Sequence, residues 1–368
     1  MQVLFQSRKT LFSVPGGDTV QVLKTKEYLE KKNIRVDISL DLEPDLSSYD
    51  LVHVFNLMRP QEVYLQVRNA KKYNKPVALS TIYGLYTEYE KKARSGVTGL
   101  LGRMLNPYQV EYLKVLARAV LNREINKGTV LFLKHGYLSL QKQICSMTDI
   151  FLPNSESEMG RVKKDMLLTE SKYVVVPNAV DSHLFHLDNE NLAKEVEIYR
   201  DCILCVARID GRKNQLNLVR AAKGLPWKLV LVGKPAPNHK AYYNKIKKEA
   251  GSNVVLIGQT EHERLPLFYK AAKVHALVSW METPGLSSLE AGAMGCNLVV
   301  TEKGDVRDYF GDYAFYCEPD SVESIRNALV RAHETPVNIS QRRNILTNFV
   351  WERTAEKTLD GYRQILKR

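Results

Sequence analysis

Residues 279–300 read SWMETPGLSSLEAGAMGCNLVV. An apolar run, KVHALVS, leads into them, a Pro-Gly turn interrupts them at 284–285, and a second apolar run, NLVV, closes them. This grammar predicts a strand, a turn, a short helix and a second strand. It places Glu282 at the end of the first strand and Glu290 within the opening turns of the helix. In an α/β unit both carboxylates then border the crevice beyond the carboxyl ends of the strands. There the N–H groups of a helix N-terminus attract phosphate, and carboxylates accept bonds from sugar hydroxyls.

Outward from that stretch, strand-length apolar runs alternate with helix-period segments, the pattern of parallel sheets with crossover helices. The first half offers QVLFQ, VDIS, DLVHVF, PVALS, DIFLP and YVVVP; the second offers CILCVA, KLVLVG, NVVLIG, VHALVS, NLVV and AFYC. Two such series predict an α/β chain of two Rossmann-like domains, and 368 residues exceed the usual size of one core. The boundary falls after Pro177, giving domains over 1–177 and 178–350 and a final helix over 351–368.

Composition narrows the class. The N-terminus lacks a charged leader with a long apolar core, and no window approaches a membrane span, which predicts a soluble, cytoplasmic chain. Five scattered cysteines predict buried, reduced thiols, with Cys202 and Cys205 on opposite faces of one strand. The net charge is +12, divided as +8 up to Val180 and +4 beyond it. Such an excess suits phosphate-bearing substrates or an anionic membrane; without a zinc finger or helix-turn-helix pattern, nucleic acid ranks last.

Three further segments carry candidate chemistry. In ARIDGRKNQ, Arg208 and Lys213 stand five apart across a strand-to-helix connection, where cations can neutralise a leaving diphosphate. In SVPGGDTVQ, Gly16 and Gly17 separate the first strand from a helix that Asp18 and Gln21 can cap, and such a loop admits phosphate close to the backbone. Residues 87–144 mix apolar clusters with lysine and arginine. They read equally as basic amphipathic helices for a membrane surface or as a wall on the acceptor side.

The E-x7-E spacing, followed by E-A-x-A-x-G and an apolar strand, resembles the donor-site signature of glycosyltransferase family 4, retaining enzymes of the two-domain GT-B fold. The Arg and Lys of ARIDGRK match the family's G-R-x-x-x-x-K, with Ala207 for the glycine, and VVVPNAVDSHLF resembles its interdomain phrase. The resemblance implies two domains facing across a cleft, with the C-terminal helix crossing back onto the first. It gives Glu282 the transferred sugar's hydroxyls, Glu290 the ribose, and Arg208, Lys213 and the amides of Gly285, Leu286 and Ser287 the diphosphate. Gly16 and Gly17 then join the donor site, and Asp18 lies on the acceptor side. Many members place a histidine after the strand PVALS, where this chain has Tyr83; Tyr83 and Tyr86 are the acceptor-side aromatics.

The implied activity is metal-independent transfer of a sugar, hexosyl or N-acetylhexosaminyl, from a nucleotide diphosphate sugar. The acceptor is a glycan or a polyprenyl-diphosphate lipid in polysaccharide or glycoconjugate synthesis, at the inner face of a membrane. No cofactor is required beyond the co-substrate. Two alternatives stay open: a degenerate nucleotide-sugar-binding scaffold, to which E-T-P-G in place of the usual E-G-F-G points, and a GT-B-shaped epimerase with its own acid and base.

Overall fold

The computed structural model describes residues 1–94, 99, 102–121, 125, 127–187 and 191–366. Parts of the basic stretch 87–144, of the linker 178–201 and the last two residues of the C-terminal segment lie outside the described residues. The chain divides into two compact units: Met1–Thr87, Leu100–Asn178 and Trp351–Arg368 form the first, and Glu88–Gly99 with Ala179–Val350 the second.

Unit 1 is built on a parallel five-stranded sheet in the order β2-β1-β3-β4-β5, with β1 Gln2–Gln6, β2 Arg35–Ser39, β3 Leu51–Phe55, β4 Val77–Ser80 and β5 Ile150–Phe151. Between them run helices α1 Gly17–Glu30, α2 Pro60–Lys72, α3 Pro107–Leu121, α4 Lys127–His135, α5 Tyr137–Ser146 and α6 Glu156–Met166. The strands read as continuous apolar runs because both faces are covered. Val52, Val54, Val77 and Leu79 pack with Val63 and Val67 of α2, Ile144 of α5 and Val162 of α6. The segment YVVVP does not form a strand. Only Tyr173 bridges to Phe151, since β5 at the sheet edge is itself just two residues long.

The helix Trp351–Ile365 packs on α1. Its apolar stripe buries Trp351, Ala355, Leu359 and Tyr362. Thr354 Oγ1 donates to the carbonyl of Pro177 at 2.8 Å. The Tyr362 hydroxyl lies 2.7 Å from His53 Nδ1 on β3, and His53 Nε2 lies 2.9 Å from Ser80 Oγ. Burial drives the His53 imidazole down to about 3, so it is a neutral member of the core.

Unit 2 carries a parallel six-stranded sheet in the order β11-β10-β9-β6-β7-β8: β6 Cys202–Val206, β7 Leu229–Val232, β8 Val254–Gly258, β9 Ala272–Leu277, β10 Asn297–Thr301 and β11 Phe315–Cys317. Its helices include α7 Gln215–Ala222, α8 Lys240–Glu249, α9 Leu265–Ala271 and α10 Leu286–Ala293. Cys202 packs in the core on one face of this sheet and Cys205 in the core on the other; all five cysteines are free and buried. The short segment Glu88–Gly99, counted with the first domain in the sequence reading, clusters with this unit. Glu88 meets Lys303 at 3.3 Å, Lys92 meets Asp320 at 2.7 Å, and the buried Tyr89 ring packs against Gly211.

Replacing Tyr362 with phenylalanine leaves the buried His53 Nδ1 without its partner, at a cost of about 1–3 kcal/mol. Denaturant unfolding reads this as a lower midpoint; an unchanged midpoint would show that the bond does not fasten the C-terminal helix.

Candidate functional site

In unit 2 the chain leaves β6 towards β7 on one side, while β9 lies on the other. This reversal of strand order opens a crevice at the carboxyl ends of β6 and β9, where ligands of open α/β sheets bind. The segment after β6 carries Arg208, Asp210 and a single 3₁₀ turn, Gly211–Lys213. The Asp210 side chain is 1% exposed. Its Oδ1 accepts from the amides of Arg212 at 2.9 Å and Lys213 at 3.2 Å. Its Oδ2 faces Arg208 Nε at 3.4 Å and Arg212 Nη2 at 3.5 Å. Burial pushes the Asp210 carboxyl up, but Arg212, Arg208 and Lys213 outweigh it and hold the group below its ordinary value.

Asn214 follows in the left-handed region, φ 60°, and its Nδ2 donates to the carbonyls of Val278 at 3.1 Å and Pro319 at 2.7 Å. The Trp280 amide donates to the carbonyl of Arg212 at 2.9 Å. The cationic turn is therefore tied to the segment that follows β9.

Glu282 lies in that segment, five residues beyond the last residue of β9 rather than at the strand's end. Its backbone is held from both sides: its amide donates to Lys303 O at 3.1 Å, and its carbonyl accepts from Asp305 N at 2.9 Å. Gly304, at φ +93°, makes this possible, because a Cβ there would fall 2.1 Å from the Glu282 carbonyl oxygen. The side chain of Glu282 reaches Lys213, with Oε1 2.5 Å from Nζ. Gly285, at φ +84°, turns the chain into α10 so closely over Leu277 that a Cβ would clash at 2.6 Å. The first amides of α10, at Gly285, Leu286 and Ser287, open beside this pair, and amides of a first helical turn have no intrahelical acceptor.

About one turn into α10, both oxygens of Glu290 are engaged. His262 Nε2 lies 2.9 Å from Oε1, and the buried Tyr269 hydroxyl donates to Oε2 at 2.8 Å. The hydrogen bond to Glu290 raises the His262 imidazole above its ordinary value, against the opposing effect of burial, with Glu290, Glu263 and Asp181 adding favourable charge. Sequence reasoning named neither His262 nor Tyr269 nor Asp210. Asp210 had a legible signal, an acid two residues before the turn amides that it caps; His262 and Tyr269 reach Glu290 only through tertiary packing.

Unit 1 holds the other candidates. Gly16 caps α1, and its amide donates to Thr19 Oγ1 at 3.0 Å. Asp18 and Gln21 do not form the cap: Asp18 takes a two-pronged bond from Arg8, at 2.6 and 2.9 Å, and Gln21 donates to Asn154 Oδ1 at 2.8 Å. Gly17 is exposed in the first turn. Tyr83 needs correction as an acceptor-side aromatic. It is 2% exposed, its hydroxyl donates to Asp165 Oδ2 at 2.7 Å and its amide to Glu158 Oε1 at 2.6 Å, so its ring belongs to the core of unit 1. Tyr86 is half-buried.

Solved structures with these two sheets span nearly the whole chain. Sucrose-phosphate synthase from Thermosynechococcus elongatus matches with a TM-score of 0.75 at 16% identity, over 99% of each chain. HepE from Anabaena, in complex with UDP-glucose, matches with a TM-score of 0.67 at 12% identity, over 99% of this chain and 100% of that one. These likenesses establish the fold as GT-B, that of a large class of glycosyltransferases. Residues 188–348, which hold the whole site of unit 2, match the family described as Glycosyl transferases group 1. Over 325 residues, 83% of each chain, the protein is 25% identical to the N-acetylgalactosamine-N,N'-diacetylbacillosaminyl-diphospho-undecaprenol 4-alpha-N-acetylgalactosaminyltransferase of Campylobacter jejuni. Residues 188–348 thus resemble that glycosyltransferase family, within a chain whose fold is GT-B.

Replacing Asp210 with alanine removes the acceptor of two turn amides, at a cost of about 1–3 kcal/mol, and lets Arg208 and Lys213 drift. Donor affinity and melting temperature should fall together; a variant with wild-type values for both would remove Asp210 from the site. The His262–Glu290 contact gives a pH signature. Because the imidazole is raised in the folded state, its contribution is fully present below its ordinary value of about 6.5 and is lost as pH rises through the higher folded value. Melting temperature should decline across that window in the wild type and not in His262→Asn; parallel profiles would show that the pair does not contribute.

Proposed function

We propose that the protein transfers a sugar from a nucleotide diphosphate sugar to a hydroxyl of a lipid-linked glycan, with retention of anomeric configuration and without a metal ion. The observation that carries this reading is the Lys213–Glu282 contact, set beside the opening amides of α10 with Glu290 about one turn further in. A cation, amides of a helix start and two carboxylates are the groups that a diphosphate, a sugar and a ribose would engage. Arg208 and Lys213 meet the diphosphate, the 285–287 amides support it, Glu282 holds the transferred sugar and Glu290 the ribose hydroxyls.

In the reaction the bond from the donor's anomeric carbon to the diphosphate oxygen breaks, and a bond from the acceptor oxygen to that carbon forms. The acceptor's proton passes to the leaving phosphate on the same face of the sugar. The positive charges of Arg208 and Lys213 stabilise the diphosphate as its charge grows, the role filled elsewhere by a divalent cation. Lys213 pairs with Glu282, so a diphosphate beside it would share or take over the ammonium without leaving it unpartnered.

The Campylobacter relative's name describes transfer to an undecaprenyl-diphosphate-linked sugar, which supports a polyprenyl-linked acceptor in glycoconjugate assembly at the inner face of a membrane. No helix among the described residues is long and apolar enough to cross a bilayer. An epimerase would need its own acid and base. The histidines of the two sheets do not supply them, since burial lowers both His53 and His275 to about 3.

Lys213→Ala should lower turnover about a hundredfold or more, the usual loss for a group that stabilises developing charge. Glu290→Ala should raise the donor KM about tenfold or more, as expected for lost hydrogen bonds to a charged group. Both are read with a panel of uridine-, guanosine- and adenosine-diphosphate sugars. Full turnover in the lysine variant, or an unchanged donor KM in the glutamate variant, would contradict these roles. Activity that vanished with chelator and returned with manganese would contradict the metal-free reading.

A further inference from the structure

Helices α3 and α4 of unit 1 bury one side against a small separate core. Val115, Phe132, Tyr137 and Leu140 form it, with Tyr108, Tyr112 and Leu116 at its edge, and the rings of Tyr112 and Phe132 stack at 4.8 Å. The opposite sides ought to be polar, as in α8, whose exposed positions are mainly Asn244, Lys245, Lys247 and Lys248. They are not. The outer side of α3 presents Leu113, Ala117 and Val120, spaced four and three apart so that they share one stripe. Leu113 is 41% exposed and Val120 71%. The outer side of α4 presents Val130 and Leu133, 62% and 53% exposed, and Ile125 between the helices is 69% exposed.

Single exposed apolar residues are ordinary; a repeated apolar stripe on two successive helices marks a surface that something covers. Charge selects the occupant. Residues 102–135 contain six Lys and Arg against two Glu. Of those acids, Glu111 is buried and pairs with Lys114 at 2.6 Å. Lys127 and Lys134 flank the stripe of α4 and are exposed. Apolar residues ringed by cations are the pattern of helices that lie in the plane of an anionic lipid surface. A second copy of the chain would bring the same positive charges against these. α3 also begins at the carboxyl end of β4, where Tyr108 interacts with Tyr83, the side of the sheet that carries Gly16 and Gly17.

We propose that the outer faces of α3 and α4 form the surface by which this protein lies on an anionic membrane. For its purpose the proposal rests on the lipid-linked acceptor; its test does not. The full chain is floated with vesicles of phosphatidylglycerol and phosphatidylethanolamine, and separately with pure phosphatidylcholine. The wild type should float with the anionic vesicles and stay behind with the neutral ones, and added salt should release it. L113D/V120D should stay behind in both. K127S/K134S should lose about tenfold or more in partitioning, since each cation near an anionic surface contributes on the order of 1 kcal/mol. Both pairs are surface changes, and the charge pair decides the matter alone if the apolar pair unfolds.

Wild-type protein left behind by anionic vesicles, or L113D/V120D floating as well as the wild type, would overturn the proposal. So would a wild-type dimer that L113D/V120D dissolves in sedimentation, because a second copy would then cover the face. Transfer to a water-soluble acceptor should persist in both variants. Failure of donor binding in every form, with flotation intact, would sink the proposed reaction and leave the membrane surface standing.

Discussion

One buried carboxylate organises the crevice of unit 2. Asp210 sits 1% exposed between β6 and α7, where an unpartnered charge would be costly. It is stable there because two turn amides and two guanidinium groups face it, and the same contacts aim Arg208 and Lys213 at the crevice. The arrangement is reciprocal. Cations at a switch point repel one another and an anion among them offsets that repulsion, while the anion needs the cations to remain charged out of water. From this turn, Asn214 and the carbonyl of Arg212 pass the constraint to the segment after β9, and Gly304 clasps Glu282 within that segment. The site is a chain of backbone hydrogen bonds before it is a set of side chains.

Glu290 is prepared in a different way. Its oxygens are already partnered by His262 and Tyr269, one half-exposed and titratable, the other buried. Its orientation is therefore fixed by the fold. The amides of α10 are equally fixed, because Gly285 takes a backbone conformation and a closeness to Leu277 that no other residue accommodates without displacement. A site assembled in advance loses less entropy on binding, a physical reason for constraining a loop that otherwise looks like an ordinary turn.

Much of the fold was legible because parallel strands buried on both faces read as unbroken apolar runs: eleven of the twelve runs named in the sequence became strands. The exception, YVVVP, was as apolar as the others, but its neighbour β5 is two residues long and offers almost no edge to pair with. The residues that gather in the crevice of unit 2 were legible because glutamate, lysine and glycine stand at fixed intervals around local turns. Tyr83 was not, since position after β4 says nothing about rotamer; its hydroxyl turned inward to Asp165. Asp18 was misread for a similar reason: a capping pattern competes with any nearby guanidinium, and Arg8, ten residues earlier, prevailed. The strap from Glu88 to Lys92 joined unit 2 through ion pairs with Lys303 and Asp320, partners over two hundred residues away that local pattern cannot reveal.

The central claim is that Arg208, Lys213, the 285–287 amides and Glu290 form one nucleotide-sugar site, and a crystal structure of the protein with its nucleoside diphosphate addresses it most directly. The account predicts the diphosphate against Arg208, Lys213 and the first turn of α10, with the ribose hydroxyls on Glu290 and Lys213 released from, or shared with, Glu282. A nucleotide bound elsewhere, or one whose ribose leaves Glu290 untouched on His262 and Tyr269, would contradict it.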